Sequence, residues 1–125
     1  MTVTPPLISV VDDDESVRES LPDLLRELGF AAQAFASAEE FLASDCLAGT
    51  SCLILDVAMP GMSGPDLQQE LARRRQAIPI IFITAHADEA ARLRLLERGA
   101  VECLSKPFSE AALLAALDAA LRAGR

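Results

Sequence analysis

The chain has 125 residues, 51% of them hydrophobic, and a formal net charge of −8. That length supports one domain with a real core, spanning 1–125, and leaves no room for a second. The acidic balance and the lack of Lys/Arg clusters count against a nucleic-acid or anionic-membrane surface, and no apolar run approaches the ~20 residues that a spanning helix requires. Met1 to Pro6 has no targeting pattern. The three cysteines, Cys46, Cys52 and Cys103, are odd in number and lack metal-ligand spacing, so they read as reduced thiols of a cytoplasmic protein.

In chain order, strand and helix signals alternate. Leu7 to Val11 is a short apolar strand ending in Asp12-Asp13-Asp14. Asp14 is placed as the N-cap of a helix patterned by Val17, Leu21, Leu24, Leu25 and Leu28 and closed by Gly29. Pro22 removes a backbone donor inside that helix, which predicts a kink there. Ala31 to Phe35 is a second strand, and Ser37 with Glu40 has the spacing of a capping box for a short helix carrying Phe41 and Leu42. Cys52 to Leu55 is a buried strand ending in Asp56, then a Pro60-Gly61 turn, with Ser63 and Asp66 as caps of a helix that ends in Arg73-Arg74-Arg75. Ile78 to Ile83 is the most apolar strand and ends in Thr84, Ala85 and His86. A helix capped by Asp88 runs to Gly99, Val101 to Leu104 is the fifth strand, and Ser105-Lys106-Pro107-Phe108 leads into a helix capped by Ser109, with an apolar stripe at Leu113, Leu117 and Leu121.

Five strands each followed by a helix predict an α/β fold: a doubly wound five-stranded parallel sheet of flavodoxin-like order 2-1-3-4-5, covered on both faces. Ligands of such sheets bind outside the carboxyl ends of the strands, at the switch point between strands one and three. That crevice gathers Asp12, Asp13 and Asp56, with Thr84 and Lys106 arriving from the other side. Three carboxylates in one crevice raise one another's pKa unless a cation sits among them, and an all-oxygen set suits Mg²⁺.

Val-Asp-Asp after the first strand, Asp-x-x-Met-Pro-x-Met-Ser-Gly around Asp56, Thr-Ala before the fourth helix, Gly-Ala before the fifth strand and Lys-Pro-Phe after it resemble the response-regulator receiver domains over essentially the whole chain. The text around Asp56, Thr84 and Lys106 is most similar to the FixJ-like receivers, which commonly precede a helix-turn-helix DNA-binding domain. The resemblance implies that Asp56 accepts a phosphoryl group from the phosphohistidine of a sensor histidine kinase. It further implies Mg²⁺ held by Asp13, by Asp12 through water, by Asp56 and by the Ala58 carbonyl. Lys106 and the Thr84 hydroxyl would meet the phosphoryl oxygens, the small Ala85 would leave room for them, and the Lys106-Pro107 bond would be cis. His86 stands beside the site as either a loop residue or a modulator of water access. The chain's last helix completes the five-unit pattern, as in a stand-alone receiver or one excised from a longer regulator.

Two further residues bear on output. Leu93 and Leu95 lie about 200° apart around their helix, so both cannot face the sheet. Leu93 is expected to be the exposed one, on a surface that the family uses for phosphorylation-dependent dimerisation. Cys103 stands where many receivers carry Tyr or Phe, three residues before Lys106. Without a ring to swing, switching should rest on Thr84 and the loop into the fourth helix. Two other functions stay open on the residues alone. One is a receiver-fold docking module that is never phosphorylated, against which the complete polar set counts. The other is a small haloacid-dehalogenase-type phosphatase, suggested by Asp12-x-Asp14 but lacking that family's further acidic pair and cap domain.

Overall fold

In the computed structural model, which describes residues 4–85 and 88–123, five strands and five helices alternate along the chain. They are β1 (Leu7–Val11), α1 (Glu15–Glu27), β2 (Ala31–Phe35), α2 (Ala38–Leu42), β3 (Thr50–Asp56), α3 (Gly64–Arg73), β4 (Ile80–Thr84), α4 (Glu89–Glu97), β5 (Glu102–Ser105) and α5 (Glu110–Ala123). The sheet is parallel throughout and ordered β2-β1-β3-β4-β5, as the alternation predicts. β3 begins at Thr50, earlier than the apolar run suggests, because the Thr50 hydroxyl is satisfied inside the fold by Ser9 Oγ at 2.7 Å and the Cys46 carbonyl at 2.6 Å. β4 begins at Ile80, after Pro79, which has no amide to give to a ladder.

Alternation along the strands sorts the core into two layers. Ile8, Val10, Ile54, Ile81 and Ile83 pack with Leu21 and Leu25 of α1 and with Leu113 and Leu117 of α5. On the other face, Val11, Leu53, Leu55 and Phe82 pack with Phe41 of α2, Leu67 and Leu71 of α3, and Leu95 of α4. Each fully buried leucine or isoleucine contributes about 1.5–3 kcal/mol relative to exposure, so the inner strands β1, β3 and β4 are the rigid frame. α1 runs through Pro22 without a break, its flanking Leu21 and Leu25 both anchored in the core. Phe108 packs against the same cluster that contains Leu113, and Ser109 Oγ accepts the Ala112 amide at 3.0 Å. Cys52 and Cys103 are buried free thiols and Cys46 is half-buried; burial pushes the Cys52 thiol up to about 12, which leaves it unreactive. No helix among the described residues is long and apolar enough to cross a membrane.

Candidate functional site at the carboxyl edge of the sheet

Register fixes which side chains meet. Val11 pairs with Leu55, so the next residues on each strand, Asp12 and Asp56, leave the sheet side by side. Asp56 is level with Ile83 on β4, and Thr84 with Ser105 on β5, which delivers Thr84 and Lys106 to the same edge. The Lys106–Pro107 bond is cis, and the Lys106 amide donates to the Thr84 carbonyl at 2.8 Å.

Carboxylate oxygens of Asp12, Asp13 and Asp56 lie within 4.8 Å of one another. Asp12 is fully buried and Asp56 is 6% exposed, whereas Asp13 is open to solvent. Lys106 Nζ donates to Asp12 Oδ2 at 2.8 Å and lies 3.7 Å from Asp56 Oδ1. Burial, and then the neighbouring Asp12 charge, push the Asp56 carboxyl up to about 7, even though Lys106 pulls the other way. Burial would lower the Lys106 ammonium, but the Asp12 hydrogen bond and the charges of Asp12 and Asp56 outweigh it and raise it. The lysine therefore stays charged while the acidic group holds more negative charge than it can balance, as a cation-binding pocket does.

Asp14 stands apart from this cluster. Its Oδ1 accepts the Ser16 amide at 2.9 Å and the Ser16 hydroxyl at 2.8 Å, which lowers its pKa and makes it the N-cap of α1. Ala58 is exposed in the turn two residues past Asp56, and Ala85 is exposed beyond Thr84; Thr84 itself is half-buried. His86 lies outside the described residues. Leu93 is 47% exposed, whereas Leu95 is buried. Cys103 is 6% exposed in the second core layer, and burial raises its thiol pKa.

Three supports escape the sequence reading. Arg18 reaches back from α1 to the Asp12 carbonyl at 3.1 Å, and the Asp14 amide donates to Asp12 Oδ1 at 2.9 Å, so the first acidic turn is held from both sides. Glu39 of α2 accepts the Met62 amide at 3.3 Å, where Gly61 has φ +75°, and so ties down the loop that follows Asp56. Gly64 lies so close to the Asp56 carbonyl that a side chain has no space there.

Fold and site together define an acidic-pocket α/β domain with its chemistry at the β1/β3 switch point. Residues 8–118 match the response regulator receiver domain, and the chain belongs to that family of two-component signalling proteins. It is 49% identical over 122 residues to Nodulation protein W of Bradyrhizobium diazoefficiens, covering 98% of this chain and 54% of that protein. Among solved structures it is similar to the response regulator StyR, with a TM-score of 0.88 and 46% identity over 97% of this chain and 61% of that one. It also resembles FixJ-N, with a TM-score of 0.84 and 34% identity over 96% of both chains. The chain spans about half the length of the curated relatives it matches, which include the transcriptional regulatory proteins TdiR of Thauera aromatica and FixJ of Azorhizobium caulinodans.

The two neighbouring aspartates should separate cleanly in solution. Asp13→Asn is expected to weaken Mg²⁺ binding at least ~10-fold, the scale on which metal sites respond to lost support. Asp14→Asn should change it less than about twofold, since Asn caps a helix as well as Asp. The chain has neither Trp nor Tyr, so the titration is best followed by calorimetry or amide shifts. Equal losses would place Asp14 in the metal set.

Proposed function

We propose that this receiver takes a phosphoryl group onto Asp56 from the phosphohistidine of a sensor histidine kinase, in a Mg²⁺-dependent reaction. The observation that carries this reading is the Asp56 carboxylate, buried at the strand end with an ammonium 3.7 Å away and two further carboxylates beside it. The donor set fits Mg²⁺: three carboxylates, with no nitrogen or sulfur ligand joining them among the described residues, and an Asp56 whose raised proton affinity a dication would relieve. Asp13, Asp56 and the Ala58 carbonyl would hold the ion, with Asp12 bound through water. When bound, Mg²⁺ neutralises charge on the phosphoryl oxygens.

The chain's own residues supply the rest. A carboxylate oxygen of Asp56 forms the new P–O bond as the P–N bond breaks, and the bonding pair leaves on the imidazole nitrogen of the donor. Lys106, held by Asp12, is aimed at the space beside Asp56 and would pair with a phosphoryl oxygen. Thr84 would donate its hydroxyl to another, and Ala85 leaves the approach open. Attack of water on phosphorus then returns inorganic phosphate and the free carboxylate, so the domain resets itself without processing a separate substrate.

Output follows from the same edge. Drawing Thr84 toward the phosphoryl group would move the segment between β4 and α4, and with it a surface that includes exposed Leu93. A second copy docking on α4 and β5 is the partner this surface suits, and the twofold length of the relatives points to an attached output domain that controls transcription. The acidic receiver itself is not expected to touch nucleic acid. Incubated with acetyl phosphate and Mg²⁺, the wild-type chain should gain one phosphoryl group that reductive trapping maps to Asp56, and chelation of the metal should prevent it. A chain that stays unlabelled is a docking module instead, and one that turns the donor over many times without a trapped state is a phosphatase.

A further inference from the structure

α4 is attached to the sheet unequally at its two ends. Toward its C-terminus Leu95 is buried, Leu96 packs against the second core layer, and the Arg98 carbonyl accepts Gln68 Nε2 from α3 at 3.2 Å. Its first turn has no such anchor among the described residues. Glu89 and Ala90 are exposed, and Ala91 and Arg92 are half-buried. Among the described residues, what ties that turn to the sheet is one ion pair, Arg92 Nη2 to Glu102 Oε1 of β5 at 2.8 Å, while Arg92 Nη1 lies 3.4 Å from Glu89 Oε1 within the turn itself. Glu102 is in turn held by the amide of Cys103, which donates to the same Oε1 at 2.9 Å. Among the described residues, the helix is pinned through its core side chains at one end and through a single charge contact to the sheet at the end nearest Thr84.

We infer that Arg92–Glu102 is a latch that sets the resting position of α4 and so the fraction of molecules in the activated arrangement. The inference rests on Asp56 being the phosphoryl acceptor, because that reaction is what would pull the β4–α4 segment against the latch. Its neighbour Cys103 is small and buried and has no ring to swing between the two positions. Both partners of the pair are about one-third exposed, with side-chain exposures of 33% and 32%. A pair in that setting is weak, which suits a latch: it biases an equilibrium without freezing it. Because ligand binding and conformation are linked, whatever the latch takes from the activated population it must also take from the affinity for a phosphoryl group, by the same factor.

The test uses Arg92→Gln and Glu102→Gln, each of which removes the charge while keeping the length of a hydrogen-bonding side chain, and the reversed pair Arg92→Glu/Glu102→Arg. Beryllofluoride with Mg²⁺ serves as the phosphoryl mimic. In each single variant, amide exchange in α4 should rise about two- to fivefold in the resting protein, the scale of a partly exposed pair. Exchange in α1 and α5 should stay unchanged. The difference should vanish with beryllofluoride bound, beryllofluoride should bind tighter by the same factor, and the reversed pair should move both readouts back toward wild type. Faster exchange in both states alike, or unchanged affinity, reduces the pair to an ordinary structural contact and overturns the latch. A wild-type chain that does not bind beryllofluoride overturns the phosphoacceptor reading first, and the latch with it.

Discussion

Asp56→Asn is expected to abolish labelling by acetyl phosphate, a loss of more than about 100-fold on removing a nucleophile, and at the same time to make the metal-free protein more stable. The second effect follows from the crowding of charge. Asn keeps the shape of the side chain and removes the charge that burial and Asp12 resist. Above neutral pH the gain should be about 1–3 kcal/mol, the scale of a raised carboxyl pKa after allowance for solvent relaxation through exposed Asp13. A mutant that labels as well as wild type would put the acceptor elsewhere.

The same carboxyl gives the pH dependence its sign. Asp56 is raised from 3.8 to about 7 in the folded state. Below about pH 4 both states hold the proton, and the group contributes no slope. Between about 4 and 7 the folded state keeps a proton that the unfolded chain has released, so stability falls as pH rises through this window; above it the full penalty stands. Denaturant melts in chelator should therefore show the gap between Asp56→Asn and wild type widening from pH 5 to pH 8. Mg²⁺ should narrow that gap by stabilising wild type alone. A mutant less stable than wild type at pH 8 would mean that the ionised carboxylate is a net stabilising partner of Lys106.

What could be read from the residues, and what could not, divides by range. Parallel strands buried on both faces leave continuous apolar runs, so β1, β3 and β4 stand out in the text, and the polar residue that ends each run is the site residue itself. Caps are equally local: Asp14, Ser63, Asp88 and Ser109 each accept an amide two or three residues on. α4 has almost no apolar face, and its place was legible only from its cap and Gly99, not from periodicity. The supports of the site left no local signature. Arg18 to Asp12, Glu39 to Met62 and Arg92 to Glu102 join positions whose proximity is created by the fold, and any of the chain's many surface charges could have filled those roles. Gly64 is the sharpest case. In the sequence it closes the Met-Ser-Gly part of the motif around Asp56, which marks the position without its reason, and only β3 passing beneath it shows why it is glycine.

Gly64→Ala should accordingly be one of the most damaging single-methyl changes in the molecule. Intrinsic propensity predicts the opposite, because alanine is favoured over glycine in a helix by up to about 1 kcal/mol. A Cβ built on Gly64 falls far inside contact distance of the Asp56 carbonyl oxygen, 3.0 Å from Phe82 Cε1 and 3.1 Å from Val57 Cα. Two of those three neighbours are backbone and the third is a fully buried ring, so none can swing aside. The Gly64 amide also donates to the Val57 carbonyl at 2.9 Å, which holds the start of α3 against the strand end that carries Asp56. Relief must come from moving α3 off β3, at a cost of about 2–4 kcal/mol for overpacking a rigid site. The acceptor would shift with its strand end, so labelling by acetyl phosphate should slow as well. Gly49→Ala is the control. The nearest atom to its Cβ is the Cys46 carbonyl oxygen at 4.0 Å, and the change should stay within about 0.5 kcal/mol of neutral. Guanidinium denaturation midpoints of the two variants decide the matter: if Gly64→Ala is as stable as Gly49→Ala, the close approach of α3 to Asp56 is not what positions the acceptor.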